Sequence, residues 1–133
     1  MAQNQDTRWK QRFSNFEKVL QHLEDAVTRK DLSMLEKAGV IQMYEIGFEL
    51  AWKTLKDYLE EKSVIVKFPR DTIKEAFAYE IIKNGDVWME MLQNRNLMSH
   101  TYDEEKAELA YGYIVNHYFF ELRNVYHTLK KEI

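Results

Sequence analysis

The sequence predicts an all-α fold, an antiparallel up-and-down bundle of four main helices plus a short one, assembled as a homodimer. Apolar residues recur at spacings of three and four through most of the chain, the period of an amphipathic helix. One Pro and four Gly leave long stretches without a breaker, and three Trp, eight Tyr and seven Phe require a substantial interior. A chain of 133 residues with 45% hydrophobic content is read as one domain, residues 1–133, able to bury a core without disulfides or metals.

The first helix is expected over about residues 7–29, because Trp9, Phe13, Phe16, Leu20, Leu23 and Val27 form a single stripe. Asp31-Leu32-Ser33 interrupts the pattern. Ser33, with Glu36 three residues on, is a capping box opening a second helix to about Glu61, which carries Leu35, Ala38, Ile41, Phe48, Trp52, Leu55 and Leu59. Val64 to Phe68 has no partner strand anywhere in the sequence and is read as a loop. Asp71, after Pro69, caps a short third helix containing Ile73, Phe77 and Ile81 that stops at Asn84-Gly85. Asp86 caps a fourth helix through Trp88, Leu92 and Arg95, and a second capping box, Thr101 with Glu104, starts a last helix running to about Lys130. Short connections between long helices imply antiparallel neighbours. Gly39, Gly47 and Gly112 fall inside helices, where each either permits a close crossing or is merely tolerated.

The last helix is apolar on more than one side. Tyr111, Val115, Tyr118, Leu122, Val125 and Leu129 make one stripe, and Tyr113, Ile114, Phe119, Phe120 and Tyr126 spread beyond it. A surplus apolar face of this kind marks a partner surface, which is the basis for expecting a dimer.

Composition removes several function classes. Without Cys there is no disulfide, thiolate metal site or cysteine nucleophile. No His pair has i,i+4 spacing and no Glu-x-x-His motif occurs, so neither a metal nor another cofactor is expected. The polar start, Met1 to Lys10, lacks a signal-peptide core, and no segment approaches the roughly 20 apolar residues of a membrane span; a cytoplasmic protein with no membrane contact is expected. A net charge of −3 does not suit a broad nucleic-acid track, so any RNA contact must be local. Arg8, Lys10 and Arg12, and again Lys67, Arg70 and Lys74, read as solvated basic patches. His22 and His127 read as surface residues, His117 as a core imidazole among aromatics, and Trp52 and Trp88 as core.

The chemistry concentrates in Arg95-Asn96-Leu97-Met98-Ser99-His100-Thr101-Tyr102, where one helix ends and the next begins. An Arg with a His five residues on occurs by chance in such a chain with a probability of roughly 0.2, and adding the Asn and the Tyr lowers that to about one in a thousand. Asn96 and His100 share a helical face, while the longer Arg95 reaches across, across a frayed end, or across a dimer. His moves protons near neutrality and Arg forks a phosphate, so His100 as base or acid, Arg95 as oxyanion stabiliser and Asn96 as orienter suffice for metal-free RNA cleavage. Tyr102 is placed to stack on a base or accept a transferred group. The bland alternative pairs Arg95 with an acidic neighbour, makes Asn96 and His100 a helix cap and packs Tyr102 as a staple. Asp103, Glu104, Glu105 and Glu108 suit a helix N-terminus but repel a passing polyanion, favouring a small nucleotide or a constrained RNA loop.

Arg95-Asn96-x-x-x-His100-x-Tyr102 resembles the signature of HEPN domains, particularly the HepT-like group. Phe48-Glu49-Leu50-Ala51-Trp52-Lys53-Thr54-Leu55-Lys56-Asp57-Tyr58-Leu59 is similar to the second-helix segment of its nucleotidyltransferase substrate-binding branch. The likeness covers nearly the whole chain. It implies a helical homodimer with the motif at or near its interface and a separately encoded small nucleotidyltransferase as partner in a toxin-antitoxin-like pair. It further implies Arg95 and His100 as catalytic in toxin-type members, Asn96 as supporting them, and Tyr102 as the residue silenced by adenylylation. In the substrate-binding branch the same Arg95, His100 and Tyr102 would bind a nucleotide or an RNA such as tRNA. The acidic Asp103-Glu104-Glu105-Lys106 lies closer to that branch, so a binding subunit is the leading expectation. A metal-independent endoribonuclease is the second, and a purely structural helical adaptor the third.

Overall fold

The computed structural model describes residues 2–133, with side chains described from Arg8 onward. Helix α1 (Ala2–Val27) and helix α2 (Met34–Glu61) pack against each other as a long hairpin. The expected stripe of α1 is the one buried: Trp9, Phe13, Phe16, Leu20 and Leu23 are all in the core. The Ser33–Glu36 capping box forms as read, with Glu36 N donating to Ser33 Oγ at 3.1 Å and Ser33 N to Glu36 Oε1 at 2.8 Å. Leu35 departs from its expected place and stands 84% exposed on the first turn of α2.

Helix α3 (Pro69–Ala78) starts earlier and ends earlier than its sequence suggests. Pro69, pre-set for a first helical position, makes Phe68 the capping residue, and Asp71 lies within the first turn without capping. The helix then stops because Glu80 takes a left-handed φ of 64° while Ile81 N bonds back to Ala76 O at 2.9 Å. Ile81 and Ile82 are therefore buried beyond the helix rather than in it. Helix α4 (Gly85–Gln93) begins after Asn84, again with Asp86 in the first turn rather than at the cap. It stops at Gln93, two residues short of the expected Arg95, and α5 (Arg95–Met98) follows after the single turn residue Asn94. Helix α6 (Glu104–Tyr113) is capped by Asp103, whose carboxylate accepts from Lys106 N at 3.2 Å; the Thr101–Glu104 box does not form because the nearer, charged acceptor takes the cap.

The last helix is continuous to Lys130 but not uniform. A π-helical turn, Ile114–Tyr118, lies between α6 and α7 (Phe119–Lys130). The wider turn carries the consecutive side chains of Tyr118 and Phe119 both into the core, with Ile114, Leu122, Val125 and Leu129. Much of the apolar surplus that motivated the dimer is thus absorbed inside one chain; Phe120 remains 38% exposed. His117 is exposed rather than core, turned outward by the same turn.

Three helices approach closely at Gly47, where an added Cβ would meet Val19 at 3.3 Å and Leu122 and Leu23 at 3.5 Å, so the small residue sets the separation of α1, α2 and α7. Trp88 and Trp52 lie in the core as expected. Polar links also tie α1 to its neighbours. Arg12 bonds the buried Asp57 at 2.9 Å, and burial holds the Asp57 carboxyl above the usual range despite Arg12 and Arg8. Tyr126 on α7 donates to Glu17, which also faces Lys130 at 3.4 Å.

That second link has an alkaline signature. The bond to Glu17, then burial, push Tyr126 up from 10.0 to about 12. Below the unfolded value the contribution is whole. Between the two values the unfolded chain ionises and the folded one does not, so stability falls as pH rises through this window. Urea titrations at about pH 9 and pH 11 are expected to show Tyr126→Phe losing about 1 kcal/mol less than the parent over that interval, a figure discounted for partial exposure.

Candidate functional site

The break between α4 and α5 positions the motif. Arg95 opens α5, and its guanidinium reaches Glu49 of α2, with Nη1 to Oε1 at 3.3 Å. Glu49 is itself fixed from the other side by Trp52, whose Nε1 donates to Oε2 at 3.0 Å, with Lys53 Nζ at 3.9 Å. Arg95 and Glu49 are each about half exposed, so the pair orients the guanidinium without burying it. Beneath it a narrow cleft of about 70 Å³ is lined by Tyr44, Glu45, Phe48, Glu49, Arg95 and Met98. Burial, then the neighbouring Glu49, raise the Glu45 carboxyl above its ordinary range, and burial raises the Tyr44 phenol well above its own. The cleft has room for a water or two, whereas nucleotide pockets span several hundred Å³.

Helix α5 ends at Met98, and the chain turns through Ser99 to Asp103, with His100 N bonded to Leu97 O at 3.3 Å and Asp103 N to His100 O at 3.1 Å. His100 therefore stands in a turn, and the shared helical face expected for Asn96 and His100 does not exist. Asn96 is exposed, and its side chain meets no partner among the described residues. The partner of His100 is Tyr102: Nδ1 and Oη lie 2.8 Å apart, with ring centroids 5.5 Å apart in an edge-on arrangement. Tyr102 is 81% exposed, not packed as a staple. With Nδ1 engaged by the phenol, Nε2 is the ring nitrogen left for a ligand.

The motif thus resolves into two pairs, Arg95–Glu49 and His100–Tyr102, at the ends of one short helix and its following turn. Glu49 was missed as a site residue although it lies in the segment that carried the resemblance; its signal was position, four residues after the half-buried Glu45 on α2. Asn94 and Glu90, just upstream, and Tyr118 on the π turn also belong to the setting of the motif, and no spacing or residue pattern announces them. Among the described residues no group of three or more acidic or imidazole side chains is placed to hold a metal. Nor is any helix among them long and apolar enough to cross a membrane.

A family model described as nucleotidyltransferase substrate binding protein like matches residues 11–131. The chain belongs to that family. A crystal structure of a Thermus thermophilus protein superposes on this substrate-binding-protein-like chain with a TM-score of 0.78 at 27% identity, covering 86% of this chain and 98% of that one. A Haemophilus influenzae structure, described as revealing the fold of a substrate binding domain of a nucleotidyltransferase, superposes with a TM-score of 0.76 at 25% identity over 89% of this chain and 98% of that one. A Haemophilus influenzae protein named a probable ribonuclease HepT is 34% identical over 82 residues, 58% of this chain. The matched stretch spans 56%, about half, of that relative's length. Family and fold therefore agree with the resemblance read from the motif and the second-helix segment.

Because the Arg95–Glu49 pair is solvent-screened, Arg95→Ala and Glu49→Ala are each expected to change the unfolding free energy by less than about 1 kcal/mol in chemical denaturation. Loss of function in either variant would then be local to the site.

Proposed function

We propose that this chain is the substrate- or nucleotide-binding subunit of a separately encoded minimal nucleotidyltransferase, one HEPN-like domain over residues 1–133 acting in a cytoplasmic two-component pair. The observation that carries this reading is the solvent-open Arg95, paired with Glu49, followed within one short helix and its turn by the His100–Tyr102 pair, on a chain whose family is the nucleotidyltransferase substrate-binding one. Arg95 supplies the phosphate fork, His100 Nε2 a second contact, and the exposed Tyr102 ring a stacking surface or an acceptor hydroxyl. The 70 Å³ cleft beside Arg95 is too small to enclose a nucleotide, which supports a site completed by another chain. A second copy of this chain, the nucleotidyltransferase, or both would supply the opposite wall. Light scattering at micromolar concentration is expected to give twice the chain mass; a monomer would leave the wall to the nucleotidyltransferase alone.

The second reading, a metal-independent endoribonuclease, is favoured by the likeness to the probable ribonuclease HepT and by the His100–Tyr102 contact. The 2′-oxygen attacks the adjacent phosphorus, its proton passes to His100 Nε2, the bond to the 5′-oxygen breaks to leave a 2′,3′-cyclic phosphate while that oxygen takes a proton from water, and Arg95 offsets the charge gathering on the phosphoryl oxygens. Tyr102, holding Nδ1, would orient the imidazole. An adenylate on its oxygen would both remove that support and cover the site, which gives adenylylation of Tyr102 a physical route to silencing.

Incubation of the pure protein with total RNA and purified tRNA in excess EDTA separates the two. On the binding-subunit reading the RNA stays intact, nucleotide binds, and His100→Ala loses about tenfold or more in affinity. Discrete cleavage by the parent and none by His100→Ala would establish the nuclease instead. After co-expression with the nucleotidyltransferase, intact mass is expected to rise by whole adenylate units in the parent and not in Tyr102→Phe; an unchanged parent mass would remove the modification.

A further inference from the structure

Tyr118 lies 23 residues beyond Arg95 and outside the motif, yet it is fully buried and its hydroxyl is spent on the helix end that precedes the motif. Asn94 Nδ2 donates to Tyr118 Oη at 2.8 Å, and Tyr118 Oη donates to Glu90 Oε2 at 2.8 Å. Glu90 and Asn94 are also joined through the backbone, Asn94 N to Glu90 O at 2.9 Å, as the last turn of α4. One phenol therefore clamps the two ends of that turn, Glu90 and Asn94. Asn94 is the only residue between α4 and α5, so the clamp holds the hinge from which Arg95 departs. Burial and the bond to Glu90 raise the Tyr118 phenol far above its ordinary range, keeping it protonated and able to donate at any physiological pH.

The ring is held as firmly as the hydroxyl. It stacks between Tyr44, with centroids 5.8 Å apart, and Tyr113, 5.6 Å apart, and Tyr44 lines the cleft under Arg95. Tyr118 ends the π turn, and a π turn inside an otherwise α-helical run costs hydrogen-bond geometry that an unbroken helix would keep. What that turn achieves here is a phenol aimed at the α4–α5 hinge.

We infer that Tyr118 is a positioning residue for Arg95: through Asn94 and Glu90 it fixes the break between α4 and α5, and so the direction in which the guanidinium is presented to a phosphate. This rests on the reading of Arg95 as the phosphate-binding group, and the test separates the two. Tyr118→Phe keeps the stacked ring and removes only the hydroxyl; Glu90→Gln keeps an acceptor for that hydroxyl and serves as the conservative control. Two quantities are read well below the melting temperature: ADP affinity by calorimetry, and amide hydrogen exchange over residues 94–99. The expected result is an affinity loss of about fivefold or more and faster exchange confined to residues 94–99 in Tyr118→Phe, with Glu90→Gln near the parent. A merely structural phenol would lower the melting temperature and leave both quantities in the folded protein unchanged, and that result overturns the inference. If the parent itself binds no ADP, the reading of Arg95 as a nucleotide-phosphate group fails. The positioning claim then stands or falls on the exchange at residues 94–99 alone.

Discussion

A column of rings decides where everything else can sit. Trp88 of α4 packs on Phe48 of α2 at 5.9 Å, Phe48 on Tyr44 at 6.3 Å, Tyr44 on Tyr118 at 5.8 Å, and Tyr118 on Tyr113 at 5.6 Å. Three stretches distant in sequence are thereby locked at one level of the bundle, with aromatic pair contacts each contributing about 0.5–1.5 kcal/mol beyond burial. The motif hangs from that level. α5 is only four residues long and has no stability of its own, so its orientation is inherited from α2, from α6 and from the end of α4.

The arrangement divides labour between rigid and open parts. Arg95 projects from α5 against the fixed Glu49, whereas His100 and Tyr102 occupy a turn whose backbone is held by few bonds. A cation oriented by an ion pair, followed by a more yielding imidazole–phenol pair, would suit the proposed binding of a ligand and a partner in turn. The acidic residues that follow the motif cap and charge the start of α6, where they favour the helix dipole.

The helical class, the two long helices of the hairpin, the Ser33 capping box and the place of the motif at a helix junction were legible because each rests on local pattern: period, cap and breaker. The departures are all places where a neighbouring residue or a tertiary partner overrode that pattern. Asp71 and Asp86 have cap chemistry, but the helices are capped three residues earlier at Phe68, ahead of Pro69, and two residues earlier at Asn84. Arg95 continues the three-and-four spacing of Trp88 and Leu92, yet α4 ends at Gln93, where Asn94 bonds the distant Tyr118. Ile114 and Phe119, on the second apolar side of the last helix, face inward, and no spacing rule announces the π turn that lets adjacent residues do so. In the site, residue types were readable and pairings were not. Glu49 lies 46 positions from Arg95, and His100 finds Tyr102 only because the helix does not hold.

The sparse cationic character of the motif carries a consequence for ionic conditions. Arg95 is half neutralised by Glu49, and Glu104, Glu105 and Glu108 stand on the helix that follows the turn. A single phosphate contact of this kind would release about one counterion even from a nucleic-acid strand, against roughly six to ten for proteins that track its backbone. Occupancy of this site should therefore change little as salt is raised. Selection among phosphate-bearing molecules would fall to shape and hydrogen-bond geometry instead of to long-range attraction, a regime in which abundant cellular polyanions compete poorly.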